Sequence, residues 1–571
     1  MNMKKYIYIA ALAALAGTTV LSGCEDFLDT ENYTQKTTGN FPTTSADIDM
    51  MLAGIYSTLN HINRQHTVNI FYVAEAASDD RFGGGGSADK AFQMTDKLLN
   101  VGVDAFEPFW EECYKGVYRA NMMLEMVGNI TDWVDESAKN QAIGEAKFMR
   151  ALLYSDLAQI FGEVPMPLTS AAENLPKSSA DVIYAQIATD LKDCIETMPD
   201  KPYDPNFSGH ATKYVAEAYM ARVFLFYTGY YQKDSLPLVD GGSVTKDQVI
   251  AWLEDCMMNG GYGLVNDFRE LWPYTNSYTI NDYPYTAGKT AIDGSPLEWE
   301  TDVNTEVLFA TKYNVYGSWD DASLSNMFPL FYGIRGENDF PFGQGWGCGT
   351  VTPNLYEDWV AEEPDDPRIK ASIIVIGDPE EINYEPNAAK DQMEYTGYLQ
   401  KKYMSILAHD ASGSEVVYSS LMYGAQNNNQ LGQTQDLIMM RYADVLLMHS
   451  ELTESADGMN QVRARVGLPA IGYSLDALKK ERRHELAFEG IRWFDLMRWG
   501  DVVPALQKQI GVKINNLGTE TTMQEFGGGF AKRYGETGGF WPIPKAQLDL
   551  SGGVLVQNPG WGTSDAEFLG W

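Results

Sequence analysis

AKNQAIGEAKFMRALLYSDLAQIF, residues 138–161, decides the fold class. Its apolar residues Ile143, Ala146, Leu153, Leu157 and Ile160 fall on one face of a 3.6-residue helix, and Gly162 with the Pro165-Met166-Pro167 turn stops it. The same periodicity recurs from Asp47 to Asn60, Ala180 to Met198 and Thr212 to Tyr231, the last two separated by a Pro/Gly/Asn-rich turn around Pro202 to Gly209. From Phe106 to Met126, Trp110, Tyr114, Val117 and Tyr118 recur at i, i+4, i+7 and i+8 and predict one buried face. A single helix cannot bury its own apolar stripe, so paired helices of this size imply stacked helical hairpins of the tetratricopeptide kind. No consensus recurs at a fixed period, which leaves a generic helical bundle as the alternative.

The chain changes character from about residue 260 to residue 436, a stretch rich in Gly, Pro, Asn and aromatics with brief strand-like runs at Glu306 to Tyr313 and Ser372 to Gly377. Loops this long in a compact protein carry function or are disordered, and the aromatic content argues for function. Helices return at Leu437 to Thr453 and Ser474 to Trp499. The second carries Arg482, Glu485, Glu489, Arg492 and Asp495 at spacings that let opposite charges meet along the helix, a structural ladder before a catalytic one. The expected architecture is therefore predominantly α. A tetratricopeptide-like helical hairpin scaffold (about 47–259 and 437–571) carries a large irregular loop-rich region (about 260–436) with few short strands, all within one domain, 47–571.

Residues 1–23 form a secretory leader: Lys4 and Lys5, an apolar run from Tyr6 to Ala16, then Leu21-Ser22-Gly23 before Cys24. The run is too short to cross a bilayer of roughly 30 Å. The small residues before Cys24 resemble the lipobox at which bacterial lipoproteins are cut and acylated, so the mature chain is expected to start at Cys24 with lipid on its thiol. The segment 24–46 is an acidic tether, with Glu25, Asp26, Asp29 and Glu31 serving either to stay solvated or to direct the lipoprotein to the cell surface.

The net charge of −36 across 571 residues repels nucleic acid, and no Lys/Arg cluster offsets it. Cys113, Cys194, Cys256 and Cys348 are far apart, with no CxxC pair or partnering histidine; zinc is not expected, and either two disulfides or buried free thiols would fit. No HExxH, GxSxG or phosphate-cradling loop occurs, and the histidines are scattered. Gly83-Gly84-Gly85-Gly86 lacks the Lys-Ser/Thr and helix start of a phosphate site and reads as a flexible loop. The acidic run from Glu362 to Arg368 raises calcium or a solvated turn; calcium needs six or more converging oxygens. The expectation is a non-enzyme without cofactors, a structural calcium being left open.

Several long motifs resemble the RagB/SusD family of outer-membrane nutrient-binding lipoproteins. They include Cys24-Glu25-Asp26-Phe27-Leu28-Asp29, the run from Glu145 to Tyr154, and Phe161-Gly162-Glu163-Val164-Pro165. Later ones are the runs from Arg441 to Met448, Val462 to Pro469 and Glu481 to Leu496, Trp499-Gly500, Trp541-Pro542-Ile543-Pro544 and Gln557-Asn558-Pro559-Gly560-Trp561. The resemblance implies four tetratricopeptide-type helix pairs, and capture of a nutrient, most often a glycan, at the outside of the outer membrane. It also implies delivery to a partner SusC-like TonB-dependent transporter barrel, over which the lipoprotein sits as a lid. Peptide capture is the alternative; a hydrolase has only the abundance of carboxylates in its favour.

These are scaffold motifs and leave the ligand site to the residues. The family places the loop after the early helices at the ligand-facing surface, which makes Asp80 and Arg81 candidates for bonding neutral hydroxyls; the competing reading is a pair that holds the loop. Sugar recognition needs exposed ring faces, and Tyr283, Tyr285, Trp319, Phe342 and Trp346 lie in Gly-, Pro- or Asp-rich loops outside helical registers. The plainer reading for each is core or loop packing.

Overall fold

The computed structural model describes residues 41–64, 68–102, 104–384 and 386–571. The expected leader, the expected acylation site Cys24 and the expected tether up to residue 40 lie outside the described residues.

Helices α1 (Ser45–Ile62), α2 (Ile70–Ala76), α3 (Glu107–Met126), α4 (Glu136–Phe161), α5 (Ala180–Thr197), α6 (Lys213–Tyr231) and α7 (Lys246–Asn259) build the first part of the scaffold. After the irregular region come α8 (Tyr442–Thr453), α9 (Asp457–Arg465), α10 (Leu475–Glu485) and α11 (Arg492–Trp499). Packing pairs α1 with α3, α4 with α5, α6 with α7 and α8 with α9, and successive pairs stack through α3–α4, α5–α6 and α7–α8. Starts are fixed by side chains that satisfy orphan backbone donors: Thr44 and Asp47 form a capping box on α1, Thr245 and Gln248 on α7, and Asp135 and Thr212 cap α4 and α6. Gly162, at φ 72°, ends α4.

Two predicted helices differ. Leu437–Arg441 is strand β2, antiparallel to β1 (Val307–Thr311), and only from Tyr442 does the chain turn helical. The stretch from Ser474 to Trp499 is broken between α10 and α11, because Phe488 (φ 67°) and Gly490 (φ 72°) take left-handed backbone that no helix continues through. In α3, Trp110 and Val117 are buried as expected, but Tyr118 faces solvent. The four described cysteines are free and buried, so the disulfide alternative falls away.

One contiguous apolar core includes Ile48 and Leu153 from the first helices, Trp272 and Phe331 from the irregular region, and Leu446 and Trp493 from the last. The loops are thus part of the same packed body as the helices.

The charge ladder does not pair along its helix. Glu485 accepts from Arg441 (2.6 Å), Arg368 (2.9 Å) and Arg465, while Arg482 donates to Asp444 (2.7 Å) and Asp495 (2.8 Å). Burial pushes the Glu485 carboxyl up, but Arg465, Arg441 and Arg368 outweigh it and hold it well below the usual carboxylate range.

Trp493→Ala is expected to lower unfolding stability by about 3–5 kcal/mol in urea titrations, as for a fully buried tryptophan. Glu485→Gln should cost on the order of 3–5 kcal/mol at neutral pH, because it strands three arginines. The folded carboxyl is depressed, so its contribution is complete above the unfolded value near 4.3 and fades as pH falls towards the folded one. The gap between wild-type and variant stabilities should therefore narrow progressively as pH falls below about 4, as followed by denaturation at stepped pH; a constant gap would refute this assignment.

Candidate functional site

The loop after α2 is interior. Arg81 is fully buried: its Nε donates to Glu75 (2.6 Å), its Nη1 to the Gly349 carbonyl (2.6 Å), and its guanidinium lies between the rings of Tyr332 (4.3 Å) and Phe488 (4.5 Å). Asp80, also buried, accepts from Arg483 (2.8 Å). The two residues pin the loop to separate elements, and neither presents a polar group to a surface ligand. The tetraglycine is likewise packed and not a flexible loop. A Cβ on Gly83 would sit 2.4 Å from the Gln93 Cα, and one on Gly84 (φ +66°) 2.5 Å from the Gly347 carbonyl oxygen.

The loop aromatics divide. Tyr283 is buried and donates to Glu381; Tyr285 lays its ring 3.9 Å from the Lys401 ammonium; Phe342 is buried edge-on against Tyr283 at 5.6 Å. Tyr274, Tyr283 and Tyr285 enclose Lys401, whose charge is met by Glu381 at 2.6 Å. These rings are core, filled by their own neighbours, although Tyr285 also touches the edge of a cleft near Arg269 and Lys289. Trp346 is half-buried against Phe331. Of the aromatic candidates, Trp319 alone projects, 71% exposed, and it is joined by a residue that sequence reasoning passed over, Tyr316, 75% exposed.

The loop that carries them is fixed. Asn314 N–H donates to the Leu324 carbonyl (3.1 Å), Tyr316 N–H to Asn314 Oδ1 (2.8 Å), and Asp321 caps the short turn Ala322–Leu324 through Ser323 N–H (3.1 Å). A second loop, Gln426-Asn427-Asn428-Asn429-Gln430, braces it: Gln426 Nε2 donates to the Gly317 carbonyl (2.6 Å) and Ser325 Oγ to the Gln430 carbonyl (3.0 Å). Gly317 approaches so closely that a Cβ there would be 2.5 Å from the Leu431 carbonyl oxygen. Gln426 and Asn427 are exposed. The site therefore offers two flat rings beside amide groups that both donate and accept. A run of five amides in a Gly-bounded loop was the available sequence signal.

The candidate calcium stretch gives its carboxylates to cations of the protein. Asp366 accepts from Arg368 (2.8 Å) and Trp359 Nε1 (3.0 Å), Glu363 from Arg463 (2.6 Å), and Glu362 pairs with Lys480 (2.7 Å). His484, stacked on Trp359 at 4.4 Å, completes a Glu363–Asp366–His484 group. The His484 ring, 3.6 Å away, and Arg463 hold the Glu363 carboxyl at about 2. Two guanidinium groups already occupy the acids, which leaves little for a metal.

The fold is a helical-hairpin scaffold that carries two exposed rings on a hydrogen-bonded loop. The chain belongs to the SusD family: the SusD family model matches residues 305–561, and a second, described as starch-binding associating with outer membrane, matches residues 26–225. A relative, SusD-like protein P2 of Formosa agariphila, is 26% identical over 527 residues, covering 87% of this chain and 91% of the relative. Among solved structures, a laminarin binding SusD-like protein (23% identical) superposes with a TM-score of 0.68 over 91% of this chain and 100% of its own. Surface glycan-binding protein A from Bacteroides thetaiotaomicron, in complex with laminarihexaose (19% identical), gives 0.67 over 90% and 100%. At these identities the structural likeness speaks for the fold.

Proposed function

We propose that this chain is a non-catalytic, glycan-binding lipoprotein of the outer membrane. It is anchored through Cys24, faces the cell exterior, and passes its ligand to a SusC-like TonB-dependent transporter barrel. The observation that carries the reading is the pair Tyr316 and Trp319, two large rings left in solvent on a loop whose backbone is braced throughout. An exposed aromatic ring costs solvation unless it has a ligand, and a pyranose presents a flat C–H face to cover it while its hydroxyls reach adjacent amides. The strongly acidic surface suits a neutral glycan and opposes an anionic one. The names of the relatives, laminarin-binding and glycan-binding, point the same way. Many carboxylates that might serve an acid–base pair are instead spent on arginines, as Glu485 and Asp366 are.

The test is native affinity electrophoresis of the chain from residue 25 in gels containing neutral polysaccharides, laminarin among them, followed by calorimetry with the oligosaccharides of any polysaccharide that retards it. Trp319→Ala and Tyr316→Ala are each expected to weaken binding about tenfold, on the order of 1.4 kcal/mol, with the urea midpoint unchanged, and the recovered glycan should keep its length. Failure of every glycan to retard the protein, or retardation indifferent to both substitutions, would refute the reading.

A further inference from the structure

The first two hairpins border a cleft of about 550 Å³ that Tyr316 and Trp319 do not line. One wall is α1, the other α4, the first helices of consecutive pairs. At its floor is Gln141, 5% exposed. Its Nε2 donates to Glu145 (3.0 Å) and to the Ala211 carbonyl (2.8 Å), which fixes the amide orientation and leaves the buried Oε1 without a partner. A buried acceptor with no donor is costly, and a ligand hydroxyl would satisfy it.

The surrounding groups add polar side chains, several of them already paired with one another. Glu145 accepts from Tyr56 Oη (2.7 Å) and from His210 Nδ1 (2.7 Å), which leaves Nε2 of the exposed His210 ring to face a ligand. The His210 ring lies stacked on Phe207 at 4.4 Å. Lys312, beside Ser208 and Gly209, is paired with Asp436. Ala53 and Leu52 make the α1 wall aliphatic. A floor acceptor, polar groups at the rim, charges of both signs and an apolar wall match a neutral polyhydroxylated ring better than an ion.

The cleft is also close to the rings. Lys312 and Tyr316 are four residues apart, so their Cα atoms lie within about 15 Å of one another. We infer that this cleft is a second sugar-binding subsite, formed by Gln141, His210 and Lys312 between α1 and α4, which takes a terminal or branching residue of the glycan that also covers Tyr316 and Trp319. This rests on the glycan reading above and extends it from one surface to two.

The experiment uses the chain from residue 25 and a hexasaccharide cut from whichever polysaccharide retards it. Ala53→Trp, at an exposed position on α1, fills the cleft without touching the Gln141–Glu145–His210 bonds; Gln141→Leu removes the floor acceptor. Each should weaken the hexasaccharide about tenfold by calorimetry, and Ala53→Trp remains informative if Gln141→Leu fails to fold. Hydrogen exchange of the wild-type complex should slow in residues 49–60 and 138–145 as well as in 314–321. Protection confined to 314–321, with both affinities unchanged, overturns the cleft assignment and leaves the ring platform standing. Retardation by no glycan overturns the functional reading, and the assignment with it.

Discussion

Glu485 is the pivot of the molecule. Its carboxylate is held by arginines from three separate parts of the chain: Arg368 from the loop-rich region, Arg441 at the junction of β2 and α8, and Arg465 at the end of α9. Those arginines reach further acids, Glu306 ahead of β1, Glu481 on α10 and Glu489 after it, and Lys402 joins through Glu489 (2.7 Å). All are buried. A buried ion pair gains little net stability over a well-packed apolar substitute, but losing one member leaves the others uncompensated. The cluster therefore forms as a whole or not at all, and it can form only when the irregular region is docked on the helices.

That dependence explains what was legible beforehand. Helices α1 and α3 to α6 could be read because a 3.6-residue period is a local property, and α1, α4 and α6 carry their own side-chain caps besides. The acids and arginines between residues 481 and 495 could be read as structural, but their spacing pointed to neighbours on one helix. Their partners lie 44 positions away for Glu485 with Arg441 and 117 for Glu485 with Arg368. No local pattern encodes such a pairing. The same holds for β2, whose sequence reads as the first turn of α8 until Val307–Thr311 supplies the strand it pairs with.

The candidate site was legible only in part, for a related reason. Tyr283, Tyr285, Phe342 and Trp319 share the same kind of flanking sequence, so composition could not rank them. What sorts them is a tertiary fact. Lys401 needs a ring enclosure to be buried, and Tyr274, Tyr283 and Tyr285 provide it. Trp319 has no such internal claimant. Asp80 and Arg81 misled in a similar way: adjacent in sequence and opposite in charge, they pair with Arg483 and Glu75 rather than with a ligand or each other. Tyr316 went unseen because one tyrosine among many in the chain is unremarkable until its neighbours leave it bare.

The bracing of the loops bears directly on recognition. A flexible arm presenting two rings would lose conformational freedom on meeting a ligand, a cost charged against every contact made. Here that freedom is surrendered on folding. Asn314, Asp321 and Ser325 fix the ring loop from within, Gln426 holds its middle, and the amide loop is in turn tied down where Ser405 Oγ donates to Asn429 Oδ1 (2.9 Å) and Gln433 Nε2 donates to Ser405 Oγ (2.8 Å). Ser405 follows Lys402 by three residues, and Lys402 belongs to the buried charge cluster. The geometry of the exposed rings is thus inherited, through a short run of backbone, from the same ion network that joins the loops to the helices, and a surface with few hydrogen bonds of its own to offer is held ready at the expense of the core.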